Sequence, residues 1–204
     1  MMSAARVAPR VLLSGSAIGY YGSRQDEELD ESACAGSGFA AALCVAWEQA
    51  ALAAAAHGVR VCLLRTGLVL SARGGILAKM RLPLGMGMRL GDGRQWMSWI
   101  HIDDYVQICL RLLEDQQASG AYNLTAPEPV SNQAFTRALV GRQGGWMLPP
   151  LPALCLKLML GERAGLLLQG QRVLPHKIRL GGYRFIHPDL PGALCALLPK
   201  GRGA

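Results

Sequence analysis

Charge is scarce in this chain: of its 204 residues only 17% are Asp, Glu, Lys or Arg, while 51% are hydrophobic. That balance excludes a disordered tail or an arm of dispersed charge, and it calls for a packed interior. The length suits one domain, or one domain with a small appendage. The charge present leans positive, to a formal +7, but it is not gathered. Lys200 and Arg202 sit together at the tail, and a few arginines between Arg60 and Arg94 are separated by apolar runs. A nucleic acid needs a basic track, so none is expected as partner. A small anion such as a nucleotide phosphate fits the balance better.

Metal and disulfide signatures are missing too. Cys34, Cys44, Cys62, Cys109, Cys155 and Cys195 form no C-x-x-C pair and have no histidine at metal-ligand spacing, so neither zinc nor a redox pair is indicated. Most lie inside apolar runs, as buried reduced thiols of a cytoplasmic protein do. Arg, Lys or Glu interrupts each long apolar stretch, including residues 151–168, and residues 1–10 are too short and polar for a signal peptide. Neither membrane nor secretion is expected.

The organisation that remains alternates strand and helix. Residues 10–14 read as a buried strand ending at Ser-Gly-Ser, and the alanine-rich residues 39–57 as a helix closed by Gly58. Residues 59–70 are β-branched and apolar, a second buried strand. Strand, helix and strand with short joints make a parallel βαβ unit. Residues 74–89 read as one or two helical turns and an irregular loop, and residues 96–102 as a strand. Asp103 or Asp104 is placed to cap a helix over 105–113 with its apolar face at 106, 109, 110 and 113. Residues 121–124 form a further strand, and Ser131 caps a helix to about Gly141. Pro149, Pro150 and Pro152 mark a linker, which divides the chain into 1–143 and 144–204. The second part holds short helices over 154–160, 164–171 and 188–198.

Three segments in this order resemble a known family. Leu13-Ser-Gly-Ser-Ala-Ile-Gly-Tyr-Tyr-Gly22 resembles the strand end of extended short-chain dehydrogenase/reductases of the NAD(P)-dependent epimerase/dehydratase type. Leu64-Arg65-Thr66-Gly67 resembles that family's Leu-Arg strand end, and Trp99-Ile-His-Ile-Asp-Asp104 its Ile-His-Val-x-Asp helix start, with Tyr122-Asn123-Leu124 matching the strand that follows. Trp47-Glu48, Gly161-Glu162, Gly170-Gln-Arg-Val-Leu-Pro175, Gly182-Tyr-Arg-Phe185 and Pro188-Asp189-Leu190 narrow the likeness to the YfcH-like epimerase proteins with a small, DUF1731-like terminal domain. The fold so implied is α/β: the second half of a Rossmann-like parallel sheet plus a small, mostly helical carboxy-terminal domain.

The resemblance implies an NAD(P)-linked oxidoreductase or epimerase acting on a small polar metabolite. It makes Ser16 the catalytic hydroxyl, with Tyr20 and Tyr21 beside it as a replacement phenol or as packing and substrate contacts. Ser14, Gly15, Arg65 and Thr66 fall where the cofactor lies, and Arg94 and His101 where substrate does. From the residues alone, each also has a plainer reading: a turn serine, a salt-bridged arginine, a solvated turn, a histidine beside a helix cap. Two departures qualify the resemblance. The family's Tyr-x-x-x-Lys pair, in which the cation lowers the phenol pKa for proton exchange, falls at Ala40 and Cys44. Nor does a glycine-rich turn between strand and helix exist to hold a pyrophosphate. With thirteen residues ahead of Ser14, against roughly ninety for three βαβ-type units, the first half of the sheet is expected to be missing, as a truncation, an isoform or a loss. NADP or NAD is then expected to bind weakly, and the exposed sheet edge to favour self-association. The competing reading is a noncatalytic remnant or regulatory binding protein that keeps the fold.

Overall fold

The computed structural model describes residues 9–161, 165 and 170–199. Strand β1 (Val11–Ala17) ends in a 3-10 turn, Ile18–Tyr21, followed by the two-residue strand β2 (Glu28–Leu29) and helix α1 (Phe39–Leu52). Alanine loses no side-chain entropy on helix formation, so this stretch is helical with little help from its neighbours. It tightens into a 3-10 turn and stops at Gly58, whose φ of 73° is a left-handed cap. β3 (Arg60–Thr66) then runs parallel to β1, with Val11 opposite Arg60 and Ser16 opposite Arg65. On its other side lies β8 (Gly120–Leu124), also parallel, which places Arg65 opposite Asn123. The expected parallel βαβ unit is therefore the centre of the molecule.

Each face of this sheet has its own cover. Leu12, Val61, Leu63 and Ala121 pack with Ala51 and Ala54 on the α1 side. Leu13, Cys62, Leu64, Tyr122 and Leu124 pack on the other side against Ile108 and Leu112 of α3 (Ile102–Glu114). By length and composition residues Phe39–His57 are apolar enough to cross a membrane, Glu48 being their one formal charge. Here that glutamate is buried and the helix lies on the sheet.

The expected single strand over 59–70 is two. A Cβ on Gly67 would stand 2.4 Å from the carbonyl oxygen of Ser98, so only glycine lets the chain turn there. Beyond it β4 (Leu68–Ser71) leaves the sheet and pairs in parallel with β7 (Trp99–His101). Between them come α2 (Gly75–Met80), β5 (Gly87–Leu90) and β6 (Trp96–Met97), the last antiparallel to β9 (Val130–Ser131). Ser131 caps α4 (Asn132–Gln143) by accepting from the amide of Ala134, as expected.

Other expectations need correction. Neither Asp103 nor Asp104 caps α3: the His101 side chain accepts the Asp103 amide instead, and the helix starts earlier than 105. Its core side is also different. Asp104, Ile108 and Leu112 are buried, whereas Val106, Leu110 and Leu113 are each exposed by about 45%. The helix carries two apolar stripes, and the one bearing the aspartate wins because that carboxylate is held inside. The proline-rich linker is a strand, β10 (Met147–Leu151), parallel to β5 with a register shift between Leu148 and Leu151. Proline is tolerated because β10 pairs on one side only. After α5 (Ala153–Leu160), the helix expected over 164–171 falls largely outside the described residues. β11 (Arg172–Val173) then pairs with β2, and α6 (His176–Leu180) and α7 (Leu190–Leu197) close the chain.

The later segment is bound into the rest by packing and by two charged groups. Leu190, Ala193 and Leu194 join Leu70, Leu77, Trp99, Phe135 and Leu139 in one core. Arg142 donates to the carbonyls of Cys195 and Leu198 at the end of α7. Asp104, fully buried, accepts from the Tyr183 hydroxyl at 2.8 Å and from the amides of Ile186 and His187 at 2.8 and 3.0 Å. Burial and then this hydrogen bond raise the Tyr183 pKa, so the phenol stays a donor. Asp104→Ala is expected to lower unfolding free energy by about 3 kcal/mol, because three donors lose a charged acceptor at once. Urea denaturation reads this directly; an unchanged midpoint would mean that the clamp carries no stability.

Candidate functional site

Alternation along three parallel strands brings polar residues into one row. Ser16 of β1, Arg65 of β3 and Asn123 of β8 stand side by side in register, on the face toward α1, near the carboxyl ends of their strands. Below them that face is mostly apolar: Leu63 stands between Ser14 and Ala121, and Leu12 pairs with Val61. Open α/β sheets bind ligands beyond the carboxyl ends of their strands, so the row lies at the end that matters.

Glu48 of α1 reaches down onto it. One carboxylate oxygen accepts from Arg65 Nε at 2.9 Å and from Ser16 Oγ at 2.8 Å, and the other from Arg65 Nη2 at 2.9 Å. The bidentate pair is buried on both sides, with 6% and 7% of the side chains exposed. Arg65 Nη1 donates to the Tyr21 hydroxyl at 3.0 Å, which donates to Asn123 Oδ1 at 2.7 Å. Asn123 in turn donates to the carbonyl of Leu174. The Tyr20 ring lies under the guanidinium, 3.4 Å from its carbon. Burial opposes the charge on Arg65, but the hydrogen bonds with Glu48 and Tyr21 outweigh it and its pKa stands above the ordinary arginine value. Burial likewise raises the pKa of Tyr21, against the lowering effect of Arg65.

The geometry settles which way the serine faces. A carboxylate holding two guanidinium hydrogen bonds has only acceptors to offer, so the 2.8 Å contact is a donation from Ser16. Its lone pairs are left for any ligand. Tyr21 is fully buried with its proton committed to Asn123, so it has none to present outward.

At Ala40 and Cys44, where the sequence resemblance put the family's Tyr and Lys, the structure has closed packing. A Cβ on Gly19 would lie 3.5 Å from the Cβ of Ala40 and 3.9 Å from Cys44 Sγ, an ordinary van der Waals fit. The 3-10 turn therefore sits directly on that face of α1. Two large side chains there would push it away.

The remaining candidates are scattered. Gly15 is exposed with nothing within 4 Å of a Cβ built on it, and Ser14 is half-buried. Thr66 Oγ1 donates to the carbonyl of Leu64 in its own strand. Arg94 lies in an exposed turn with its amide on Asp92, in a loop tied to the start of α4 by Gln133 and Asn132 rather than to the row. His101 is buried at the end of β7, stacked 3.8 Å from the His187 ring. Burial, and then the neighbouring His187, lower its pKa. Sequence reasoning gave no site role to Glu48, Asn123 or Glu31, and to Asp104 only that of a candidate helix cap. Glu31 accepts from the amides of Asn123 at 3.0 Å and Lys177 at 3.2 Å, joining β8 to α6. A signal for Glu48 did exist, because it is the single formal charge in an otherwise apolar helix.

Comparison with known proteins follows the same lines. The family model described as "NAD dependent epimerase/dehydratase family" matches residues 1–125, and "Domain of unknown function (DUF1731)" matches residues 151–197. The chain is 44% identical over 188 residues to epimerase family protein Mb2239 of Mycobacterium bovis, covering 90% of this chain and 62% of that one. The chain thus spans less than two thirds of that relative's length. It superposes on human epimerase family protein SDR39U1 (isoform 2), solved with NADPH, with a TM-score of 0.83 and 31% identity, covering 96% of this chain and 68% of the other. The nucleoside-diphosphate sugar epimerase of Corynebacterium glutamicum gives 0.80 and 33%, covering the whole of this chain and 40% of its own.

Two outcomes follow from the site. Glu48→Ala strands a buried guanidinium and is expected to cost about 3–5 kcal/mol, while Ser16→Ala removes one hydrogen bond and costs about 1 kcal/mol. Equal losses in urea denaturation would contradict the arrangement. For His101 the folded pKa is below the unfolded value of about 6.5, so the unfolded state takes up the proton first. The stability this contributes is complete above that value and declines as pH falls through it. His101→Asn, which retains a capping acceptor, should flatten that slope in denaturation curves recorded from pH 8 down to pH 5.

Proposed function

Because the chain belongs to the NAD-dependent epimerase/dehydratase family, we propose that it forms the substrate-facing part of an NAD(P)-linked oxidoreductase or epimerase acting on a small polar metabolite. The observation that carries this reading is the Ser16–Glu48–Arg65 arrangement at the carboxyl ends of β1 and β3. Glu48 fixes the serine hydroxyl so that Oγ accepts a hydrogen bond from a substrate hydroxyl. The six cysteines, all unpaired, support work in a reducing compartment such as the cytoplasm.

Such a cofactor supplies hydride transfer when bound. The residues present fit it only in part. At Gly15 a flat ring can approach the backbone closely, because no side chain intervenes. A pyrophosphate needs a glycine turn leading straight into a helix N-terminus, and β1 leads instead into a 3-10 turn, with Arg65, the cation of the row, already neutralised by Glu48. No step is assigned through the cofactor on these residues.

A second reading has its own support. Ala40 and Cys44 pack against Gly19 where an acid/base pair would stand, and Glu48, Arg65, Tyr21 and Asn123 satisfy one another. A protein that binds the metabolite without turning it over is consistent with both facts.

The two readings separate in one set of assays. Isothermal titration of the chain with NADPH and NADH should give a dissociation constant weaker than about a millimolar. With cofactor at several millimolar, a panel of small alcohols, carbonyls and nucleoside-diphosphate sugars is screened for product by chromatography and for binding by thermal shift. Turnover that Ser16→Ala lowers about a hundredfold, with little change in melting temperature, supports the enzyme. Binding without turnover, lost in Ser16→Ala, supports the binding protein. Absence of both, or full activity in Ser16→Ala, overturns the role given to the serine.

A further inference from the structure

Away from the polar row, the start of α3 and the segment before α7 bring three ligating side chains together. His101, Asp103 and His187 each offer one atom, and these atoms lie within 4.8 Å of one another, the one such group among the described residues. Asp103 Oδ2 stands 3.6 Å from His101 Nδ1 and 4.0 Å from His187 Nε2. We propose that His101, Asp103 and His187 form a binding site for a borderline divalent transition-metal ion of the zinc or nickel type.

The first argument is a convergence of lone pairs, the one on His101 Nδ1 being held by the Asp103 amide, which an ion there would displace. His101 Nδ1 accepts the Asp103 amide at 3.1 Å, so in the neutral ring the proton sits on Nε2, which is buried and has no partner. Nδ1 therefore faces the Asp103 carboxylate as acceptor toward acceptor, and His187 adds a further nitrogen to the same space. Three electron-rich atoms converge with little positive charge among them. Two imidazoles and a carboxylate are the donor set that zinc and nickel prefer.

The second argument is that the ligands are held in advance. His101 is 2% exposed and fixed between β7 and α3. His187 is held from behind by its own amide on Asp104 Oδ2 at 3.0 Å, and the rings lie 3.8 Å apart, tilted by 34°. Only Asp103 is largely in water, with 62% of its side chain exposed, which leaves the ion a way in. Ligand atoms about a tetrahedral ion with bonds near 2.1 Å are roughly 3.4 Å apart. The observed separations therefore close by a turn of the His187 ring and a small rotation of the exposed Asp103 side chain, with His101 Nδ1 exchanging the Asp103 amide for the ion.

The test is titration of the whole chain with nickel chloride, and separately with zinc chloride, followed by calorimetry. One ion per chain is expected, and affinity for it should fall at least tenfold in His187→Ala and in Asp103→Asn. The exposed thiols of Cys34, Cys155 and Cys195 are untouched by either change, so metal bound there would keep its affinity. Asp103→Asn alters a solvent-facing group and should fold normally, so it decides the matter if His187→Ala is unstable. Failure of the unaltered chain to bind either ion, or equal binding by the Asp103→Asn variant, overturns the proposal.

Discussion

The buried pair of Glu48 and Arg65 is the constraint on which the rest of this structure depends. A helix of alanines offers the sheet a nearly uniform surface on which it could rotate or slide at small cost, since each alanine contact resembles the next. One carboxylate removes that freedom. To reach both Arg65 nitrogens, α1 must sit at one height and one rotation over β3. The pair is not a simple gain in stability, because two charges leave water to form it. What it supplies is a single arrangement, and Ser16, Tyr20, Tyr21 and Asn123 take their places around it.

That arrangement also bears on the chemistry. At Ala40 and Cys44, the positions that the resemblance assigned to a phenol and an ammonium, this chain has small side chains and a tight turn, and the serine hydroxyl is directed to Glu48 one helical turn further on. The serine is thereby oriented by a fixed anion instead of joined to a proton relay. On the proposed function, a site so built would favour ligands that bring their own donor and leave proton exchange to the ligand and water.

The sequence disclosed the frame better than the details. Hydrophobic periodicity and the glycine stop at Gly58 were enough to place β1, α1 and β3 and to make them parallel, and the Ser131 cap was legible from one residue. The outward stripe of α3 was not, because Val106, Leu110 and Leu113 have the spacing of a core face and nothing local reveals that buried Asp104 draws the opposite side inward. The strand at 147–151 was hidden by its prolines, which an edge strand with one partner can carry. At the site, the motif around Ser16 was visible but its partner was not: Glu48 lies 32 residues away, and only the pairing of β1 with β3 and the packing of α1 reveal that the two meet. Arg65 was legible as either an anion contact or an ion pair, and what stands opposite it is Glu48.

The register of the central sheet has a consequence for how the chain assembles. Apolar strands such as β1 and β3 can pair one residue out of step with little loss of contact area, and such slips trap folding chains. Here a slip of one residue would set Gly15 or Ala17 against Arg65 and turn Ser16 to the α3 face, so that Glu48 keeps Arg65 and loses its serine donor. The polar row thus proofreads the pairing: a misaligned β1 forfeits a buried hydrogen bond to Glu48, and only the aligned sheet satisfies every member of the row.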